Sequence, residues 1–309
     1  MAHRPTTAFV FSGGASLGAI QVGMLRALYE HGIIADMLVG TSVGAINAAF
    51  IASRPPTPAT ARKLERVWRG VSRGDVFPLS PFTMVSGMLG QRDHFVPARG
   101  LRQLIRRHVE LEQLADAAIP LYVVAFDINS GAEVLLTDGP AAESIAAACA
   151  IPGVFPPVAM DGRLLVDGGV INNTPISHAV ELGAERIYVL ATQVLPHALR
   201  SAPQRALDAT MYALGLLVGS RLQADIQRYE NEVELIVLPT PNATPNDPTD
   251  FEHSQQLIGD AYAASRDLLA GRLPTLAAAR RSSVRRNHFA SAERARRAHA
   301  PSRRASSRR

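Results

Sequence analysis

The chain has 309 residues, of which 47% are apolar and 19% are charged, a balance that excludes an intrinsically disordered protein. A single cysteine, Cys149, excludes an intramolecular disulfide framework and a cysteine-rich metal site, and the longest apolar runs fall short of the 18 residues of a spanning helix. The net charge of +5 hides two regions of opposite sign, since residues 1–279 carry 21 basic and 26 acidic residues, whereas residues 280–309 carry 11 arginines and one glutamate.

The first residues contain one arginine and, before the first glycines, no apolar stretch long enough for the core of a signal peptide, so we predict no secretion signal and a cytoplasmic protein. We expect an N-terminal extension over residues 1–7, a single α/β domain over residues 8–272, and a basic tail rich in Arg, Ala and Ser over residues 273–309, which we predict to be disordered.

Two strand–loop–helix units fill the first fifty residues. An apolar strand over Thr6–Ser12 leads through a glycine loop into a helix over Ala19–His31. A second strand over Asp36–Val39 leads through Gly40–Gly44 into an alanine-rich helix that ends at about Ala52. This alternation predicts an α/β fold with a parallel sheet.

The rest of the chain continues the alternation. Helices are predicted over Thr60–Arg69, Ala98–Val109, Ala141–Ala150, Pro203–Glu230 and Phe251–Leu269. Strands are predicted over Leu121–Asp127, Glu133–Thr137, Val158–Met160, Arg163–Val166, Glu185–Ala191 and Val233–Leu238.

The segment Val71–Pro97 shows no clear period and is long for a connection, which is typical of a lid or a binding loop. Its large apolar side chains are candidates for a binding wall, and ordinary core packing explains them equally well. These side chains are Phe77, Phe82, Met84, Met88, Leu89 and Phe95.

Ser42 lies in the pattern Gly-x-Ser-x-Gly between a predicted strand and a predicted helix. A serine at such a sharp turn presents its hydroxyl above the sheet, where the following helix N-terminus favours developing negative charge. Ser42 is therefore a candidate nucleophile. The alternative is a turn serine that caps the helix.

The loop from Ser12 to Gly18 contains Gly13 and Gly14 and again joins a strand to a helix. Its spacing departs from the dinucleotide-binding pattern and it lacks the lysine of a P-loop. Successive amides near a helix N-terminus are suited to bind the oxyanion of a tetrahedral intermediate. The alternative is a plain tight turn.

A nucleophilic serine needs a base, and the sequence offers two kinds. Among the later histidines, His253 is the best placed for a Ser–His–Asp triad, because it follows the last predicted strand. Asp167 directly follows the strand Arg163–Val166 and precedes Gly168 and Gly169, at a strand end where ligands collect in α/β sheets. The alternative for Asp167 is a turn residue that caps the following segment.

Three motifs follow one another along the chain. They are the glycine loop, then Gly40-Thr41-Ser42-Val43-Gly44-Ala45, and then Asp167-Gly168-Gly169-Val170-Ile171-Asn172-Asn173-Thr174-Pro175-Ile176. Together they resemble the patatin-like phospholipase family over roughly residues 8–180, with a looser continuation to about residue 270. The resemblance implies three α/β/α layers around a mostly parallel central sheet. It also implies a serine hydrolase of lipid acyl esters that works through a Ser–Asp dyad and an acyl-enzyme. We expect no cofactor, and no metal site, because the sequence shows no cluster of His and Asp at ligand spacing.

The resemblance assigns roles residue by residue. Ser42 corresponds to the nucleophile and Asp167 to the base. The implied oxyanion-hole amides are those of Gly13, Gly14 and Ala15, and the supporting glycines are Gly18, Gly40, Gly44, Gly168 and Gly169.

Two positions of the loop depart from the family pattern, which has a third glycine and a cation. Ala15 replaces the glycine but keeps its N–H, whereas Leu17 replaces the cation and removes a positive charge near the site. Leu17 weakens the case for a charged phospholipid head group and gives some weight to a non-catalytic lipid-binding protein. The expected partners are a lipid or acyl-ester substrate and, through the basic tail, an anionic membrane surface. We expect no nucleic acid, and a merely solvated tail is the alternative.

Overall fold

An eight-stranded sheet organises the part of the chain that the computed structural model describes, namely residues 4–78, 94–193, 206–241 and 249–271. The strands are β1 (Thr7–Phe11), β2 (Met37–Thr41), β3 (Leu121–Asp127), β4 (Ala132–Leu136), β5 (Val158–Met160), β6 (Arg163–Asp167), β7 (Arg186–Leu190) and β8 (Glu234–Val237). Every predicted strand is present. Leu121–Asp127 and Val158–Met160 have the predicted bounds, and the other strands differ by one or two residues at their ends.

The sheet has a parallel half and an antiparallel half. Strands β3, β2, β1, β7 and β8 pair in that order, all in parallel. Strands β4 and β6 both pair with β3 in antiparallel fashion, and β5 completes the predicted hairpin with β6. The predicted α/β class with a mostly parallel central sheet is confirmed.

Helices connect these strands. They are α1 (Gly18–Glu30), α2 (Val43–Ala52), α3 (Pro58–Gly70), α4 (Arg73–Val76), α5 (Arg99–His108), α6 (Ala141–Ala148), α7 (Ile176–Glu181), α8 (Ala206–Tyr229) and α9 (Ser254–Leu269). The short helices α4 and α7 are not predicted, because one or two turns are too short to show a helical period. None of the helices in the described ranges has both the length and the apolar character to cross a bilayer.

Side chains alternate between the two faces of the sheet, as the pleat of a strand requires. In β1, Phe9 and Phe11 join the larger buried cluster with α1, α2 and α9, whereas Ala8 and Val10 join a second cluster with α7 and α8. Because both faces are covered, the strands read as continuous apolar runs. The result is three layers, as the family resemblance implies.

Several predictions fall on residues outside the described ranges. These are the wall candidates Phe82, Met84, Met88 and Leu89, the start of the helix predicted from Pro203, and the basic tail over residues 273–309. Contact of the tail with an anionic membrane therefore stays a prediction.

Candidate active site

Ser42 is held in a sharp turn between the end of β2 and the start of α2. Its backbone has φ +54° and ψ −131°, a conformation that non-glycine residues rarely adopt. Such a conformation costs about 1–3 kcal/mol and is typical of functional turns. The Ser42 side chain does not hydrogen-bond to the N-terminus of α2, so the helix-cap alternative fails. The hydroxyl is left available for other partners.

The two glycines of the motif permit this turn because other backbone segments approach them closely. A Cβ on Gly44 would lie 2.4 Å from the carbonyl oxygen of Phe11 and 2.6 Å from that of Ser12. A Cβ on Gly40 would lie 2.8 Å from the backbone of Ala45. The spacing Gly-x-Ser-x-Gly is thus a packing requirement, which fixes Ser42 against the end of β1.

We expect Gly44→Ala to lower the free energy of unfolding by about 2–3 kcal/mol and to reduce ester hydrolysis, because the new methyl group overpacks rigid backbone. Gly259→Ala in α9 is the matched control, since a Cβ there meets nothing within 4 Å. The control should be neutral or stabilising by about 0.5–1 kcal/mol. Urea unfolding of both variants measures the difference, and equal stabilities would contradict this account of the turn.

The register of the sheet brings Asp167 beside Ser42, although 125 positions separate them in the sequence. Thr41, the last residue of β2, pairs with Val124 of β3, and Asp167, the last residue of β6, pairs with Ala125. Strand β4 occupies the opposite side of β3 along this stretch, so β2 and β6 share one side and meet end to end. Neighbouring strand positions are only ~3.3 Å apart along the strand.

The carboxyl group of Asp167 is buried next to the serine. Burial raises its pKa to about 6, against the opposing effects of a hydrogen-bonding interaction with the Ser42 hydroxyl and of the Gly169 N–H. The Gly169 N–H donates to Oδ1 at 2.7 Å, so Asp167 also caps the turn that follows it, as the alternative interpretation predicts. Asp167 thus holds a carboxyl group of raised proton affinity within reach of the Ser42 hydroxyl.

The glycine loop lies against Ser42, since a Cβ on Gly13 would lie 3.1 Å from the Cβ of Ser42. The three predicted oxyanion donors differ in whether their amides already have a hydrogen-bond partner. The N–H of Gly13 donates to the carbonyl of Asn173 at 3.0 Å. Among the described residues, the amides of Gly14 and Ala15 have no hydrogen-bond partner. Two of the three donors are therefore available to an anion.

Ala15 takes up the conformation that a glycine would favour at this position. Its φ is +49°, in the left-handed region, which costs an L-residue about 1–2 kcal/mol. The backbone of the loop is therefore maintained without the third glycine, and the N–H of Ala15 keeps its place. Leu17, at the position of the family's cation, packs against the core.

A buried polar network beneath the loop was not identified from the sequence. The side-chain amide of Gln21 donates to the carbonyl of Ser12 at 2.7 Å, and that of Asn47 donates to Gln21 at 2.8 Å and to the carbonyl of Gly18 at 3.0 Å. The indole of Trp68 donates to Asn47 at 2.9 Å. These hydrogen bonds connect the loop to three helices and hold it in place. In the sequence, the only sign of them is a polar residue within an apolar helical face.

A second network connects the segment after Asp167 to the serine turn. The Thr41 hydroxyl donates to the carbonyl of Asn172 at 3.0 Å, and the Asn172 side chain donates to Glu133 at 2.7 Å. Glu133 also contacts His178 at 2.7 Å. Although burial acts to lower it, the pKa of His178 is raised by Glu133. Asn172 thereby positions the turns that carry both Ser42 and Asp167.

An apolar pocket opens at Ser42 and runs between α2, α3 and α5. Its walls include Ile46, Phe50 and Trp68. Of the two described wall candidates, Phe77 lines this pocket, whereas Phe95 is 44% exposed and lies outside its lining. Phe95 as a wall residue is therefore wrong, because its side chain points to solvent.

Two other reactive side chains are unsuited to the chemistry. Cys149 lines the pocket, and burial together with Asp167 raises the pKa of its thiol, so it stays protonated. His253 is 54% exposed, pairs with Asp250 at 2.8 Å, and is not among the lining residues of the pocket. The structure therefore does not bring His253 together with Ser42.

Comparison with known proteins supports the relationship implied by the motifs. The family described as "Patatin-like phospholipase" matches residues 9–180. The mouse protein "Patatin-like phospholipase domain-containing protein 7" is 30% identical over 185 residues, which cover 59% of this chain and 13% of the mouse protein. "Lysophospholipase NTE1" of Mycosarcoma maydis is 28% identical over 189 residues, 59% of this chain and 9% of the fungal protein. The chain thus spans a small part of the length of these relatives.

A solved structure, VipD from Legionella pneumophila, aligns with 88% of this chain and 68% of its own, at 15% identity and a TM-score of 0.46. The family match extends over more than half of the sequence and contains the glycine loop, the serine turn and the Asp167 segment. The chain therefore belongs to the patatin-like phospholipase family.

Proposed function

We propose that this protein is a serine acyl-ester hydrolase that acts on lipids, with Ser42 as nucleophile and Asp167 as base. The main support for the proposal is that the end of β2 meets the end of β6 on one side of β3. This arrangement puts a buried carboxyl group beside a serine whose backbone conformation is strained. Aspartate is ordinarily a weak base, and a pKa of about 6 makes it a more effective proton acceptor near neutral pH.

The reaction proceeds in two steps. The Ser42 Oγ attacks the ester carbonyl carbon while its proton passes to the Asp167 carboxylate, and the amides of Gly14 and Ala15 bind the oxyanion. The bond to the leaving alcohol then breaks, and Asp167 returns the proton to that alcohol. Water attacks the acyl-enzyme in the same way, with Asp167 as base, and releases a carboxylic acid and free Ser42.

The apolar pocket supplies the binding site for the acyl chain. Helix α2 forms one wall from Ser42 to Phe50, which corresponds to ~12 Å along a helix. Among the described residues that line the pocket there is no Lys, Arg, Asp or Glu, and Leu17 provides no cation beside the ester. We therefore expect the acyl chain, rather than a charged head group, to provide most of the binding free energy.

The test is an activity screen of the purified chain across phospholipids, lysophospholipids, acylglycerols and short p-nitrophenyl esters. We expect turnover of acyl esters that requires no added metal ion, with chain length affecting the rate more than head-group charge. The non-catalytic alternative predicts binding of the same lipids without turnover of any ester. Turnover that is lost in His253→Ala but kept in Asp167→Asn would instead support a histidine triad.

A further inference from the structure

A second cleft lies between α3 and α5 and adjoins the apolar pocket. The two share part of their lining, including Phe50, Val67 and Leu104. The apolar surface that begins at Ser42 therefore continues into this cleft. Since Phe50 lies eight positions after Ser42, the cleft begins ~12 Å from the serine, at the far end of the pocket.

The cleft is lined by more cations than anions. Among the described lining residues, five lysine and arginine side chains face two acidic ones, Asp75 and Glu110. Glu110 is bound to Arg54 at 2.6 Å, and Arg54 also donates to the carbonyls of Phe50 and His108. Asp75 accepts from Ser72 and caps α4. Both anions thus already have partners within the fold.

The remaining four cations are Lys63 and Arg66 on α3, and Arg99 and Arg107 on α5. All four side chains are exposed. None of them forms a salt bridge with another described residue, although Arg107 contributes to lowering the pKa of Asp75. Their helical spacing places them along the two walls, above the apolar floor of Val67 and Leu104.

We propose that this cleft binds a single-chain anionic amphiphile, such as a fatty acid or an alkyl phosphate. The anionic group pairs with Lys63, Arg66, Arg99 and Arg107, and the chain extends over Phe50 into the pocket that holds Ser42. The four cations favour a negatively charged group, and the apolar floor that the cleft shares with the pocket favours an alkyl chain attached to it. A chain that enters from this end occupies the acyl pocket without presenting an ester to Ser42.

The inference rests on the proposed function for the identity of the pocket as the acyl site. It implies that a released fatty acid can bind in the reverse orientation and compete with substrate. Inhibition by anionic amphiphiles should therefore be competitive, and weaker at high salt, because exposed cations are screened.

The experiment measures binding of dodecyl phosphate to the full chain by calorimetry, below the micelle concentration, for wild type and for Ser42→Ala. The probe has no carboxylic ester, so binding does not depend on catalysis. We expect the Kd to rise about tenfold or more in Lys63→Gln/Arg66→Gln and in Arg99→Gln/Arg107→Gln. Arg62→Gln is the matched control, because Arg62 lies on the same helix but acts on Glu30 and not on the cleft.

Further arms separate the contributions of charge and chain. Dodecanol should bind equally to wild type and the charge variants, and inorganic phosphate should bind at least tenfold more weakly than dodecyl phosphate. Equal Kd values for dodecyl phosphate in the charge variants and in Arg62→Gln would overturn the proposal, as would equal binding of inorganic phosphate. An inactive esterase with the expected binding pattern would refute only the proposed function.

Discussion

Replacing Ser42 by alanine is expected to reduce ester hydrolysis by about 10⁶-fold, to a rate near background, because no acyl-enzyme can form without the nucleophilic oxygen. The change removes one oxygen from a buried side chain that does not cap α2, so the melting temperature should stay within a few degrees. Steady-state hydrolysis of a p-nitrophenyl ester, with circular dichroism for the fold, measures both effects.

Ser53→Ala is a suitable control for this substitution. Ser53 follows the same helix, donates to the carbonyls of Ala49 and Phe50 at 3.4 and 3.3 Å, and accepts from Arg54 at 3.1 Å. Its replacement should leave the rate unchanged. Activity of Ser42→Ala within tenfold of this control would show that another residue carries the nucleophile.

Replacing Asp167 by asparagine is expected to have opposite effects on activity and stability. The rate should fall about 10²–10⁴-fold, because the general base is lost. The fold should become more stable at neutral pH, since asparagine can accept the Gly169 N–H without placing a charge in a buried site. The wild-type carboxylate would then lower the free energy of unfolding, although catalysis requires it.

The sign of the pH dependence follows from the raised pKa of Asp167. The folded protein binds this proton up to about pH 6, whereas the unfolded chain releases it near the ordinary value of 3.8. The stability that the proton provides is complete below pH 3.8 and is lost as the pH rises through 6. Ionised Asp167 therefore costs roughly 3 kcal/mol at pH 8.

Urea unfolding at pH 4 and pH 8 measures this difference. Asp167→Asn should gain on the order of 2–3 kcal/mol over wild type at pH 8 and much less at pH 4. The exposed residue Asp138 supplies the control, and Asp138→Asn should show no such gain. For wild type, kcat/KM should rise with pH to a plateau, with its midpoint at about 6. A stability difference that does not change with pH would contradict the buried, ionisable base.

Much of this architecture was accessible from the sequence because its signals are local. The alternation of strand, glycine loop and helix identifies β1, β2 and the turn that carries Ser42. The Asp167 segment follows a short apolar strand and is recognisable for the same reason. The bounds of the elements differ by a few residues because helix and strand ends depend on tertiary contacts.

Contacts between residues far apart in the chain are harder to predict from the sequence. The sequence offers no signal that β6 meets β2 end to end on one side of β3, since register depends on the assembled sheet. It also gives no indication that the amide of Gly13 is taken by Asn173. Gln21, Asn47 and Asn172 are recognisable in the sequence as polar residues within apolar segments. Their hydrogen-bond partners lie on other elements, so the sequence does not identify them.

The most direct test of the Ser42–Asp167 dyad is covalent labelling of the full chain with a fluorophosphonate, followed by peptide mass spectrometry. We predict a single adduct on the peptide that contains Ser42, formed at a rate that increases with pH around a midpoint of about 6 and decreases at least a hundredfold in Asp167→Asn. An adduct on another residue, or a labelling rate unchanged by Asp167→Asn, would contradict the account.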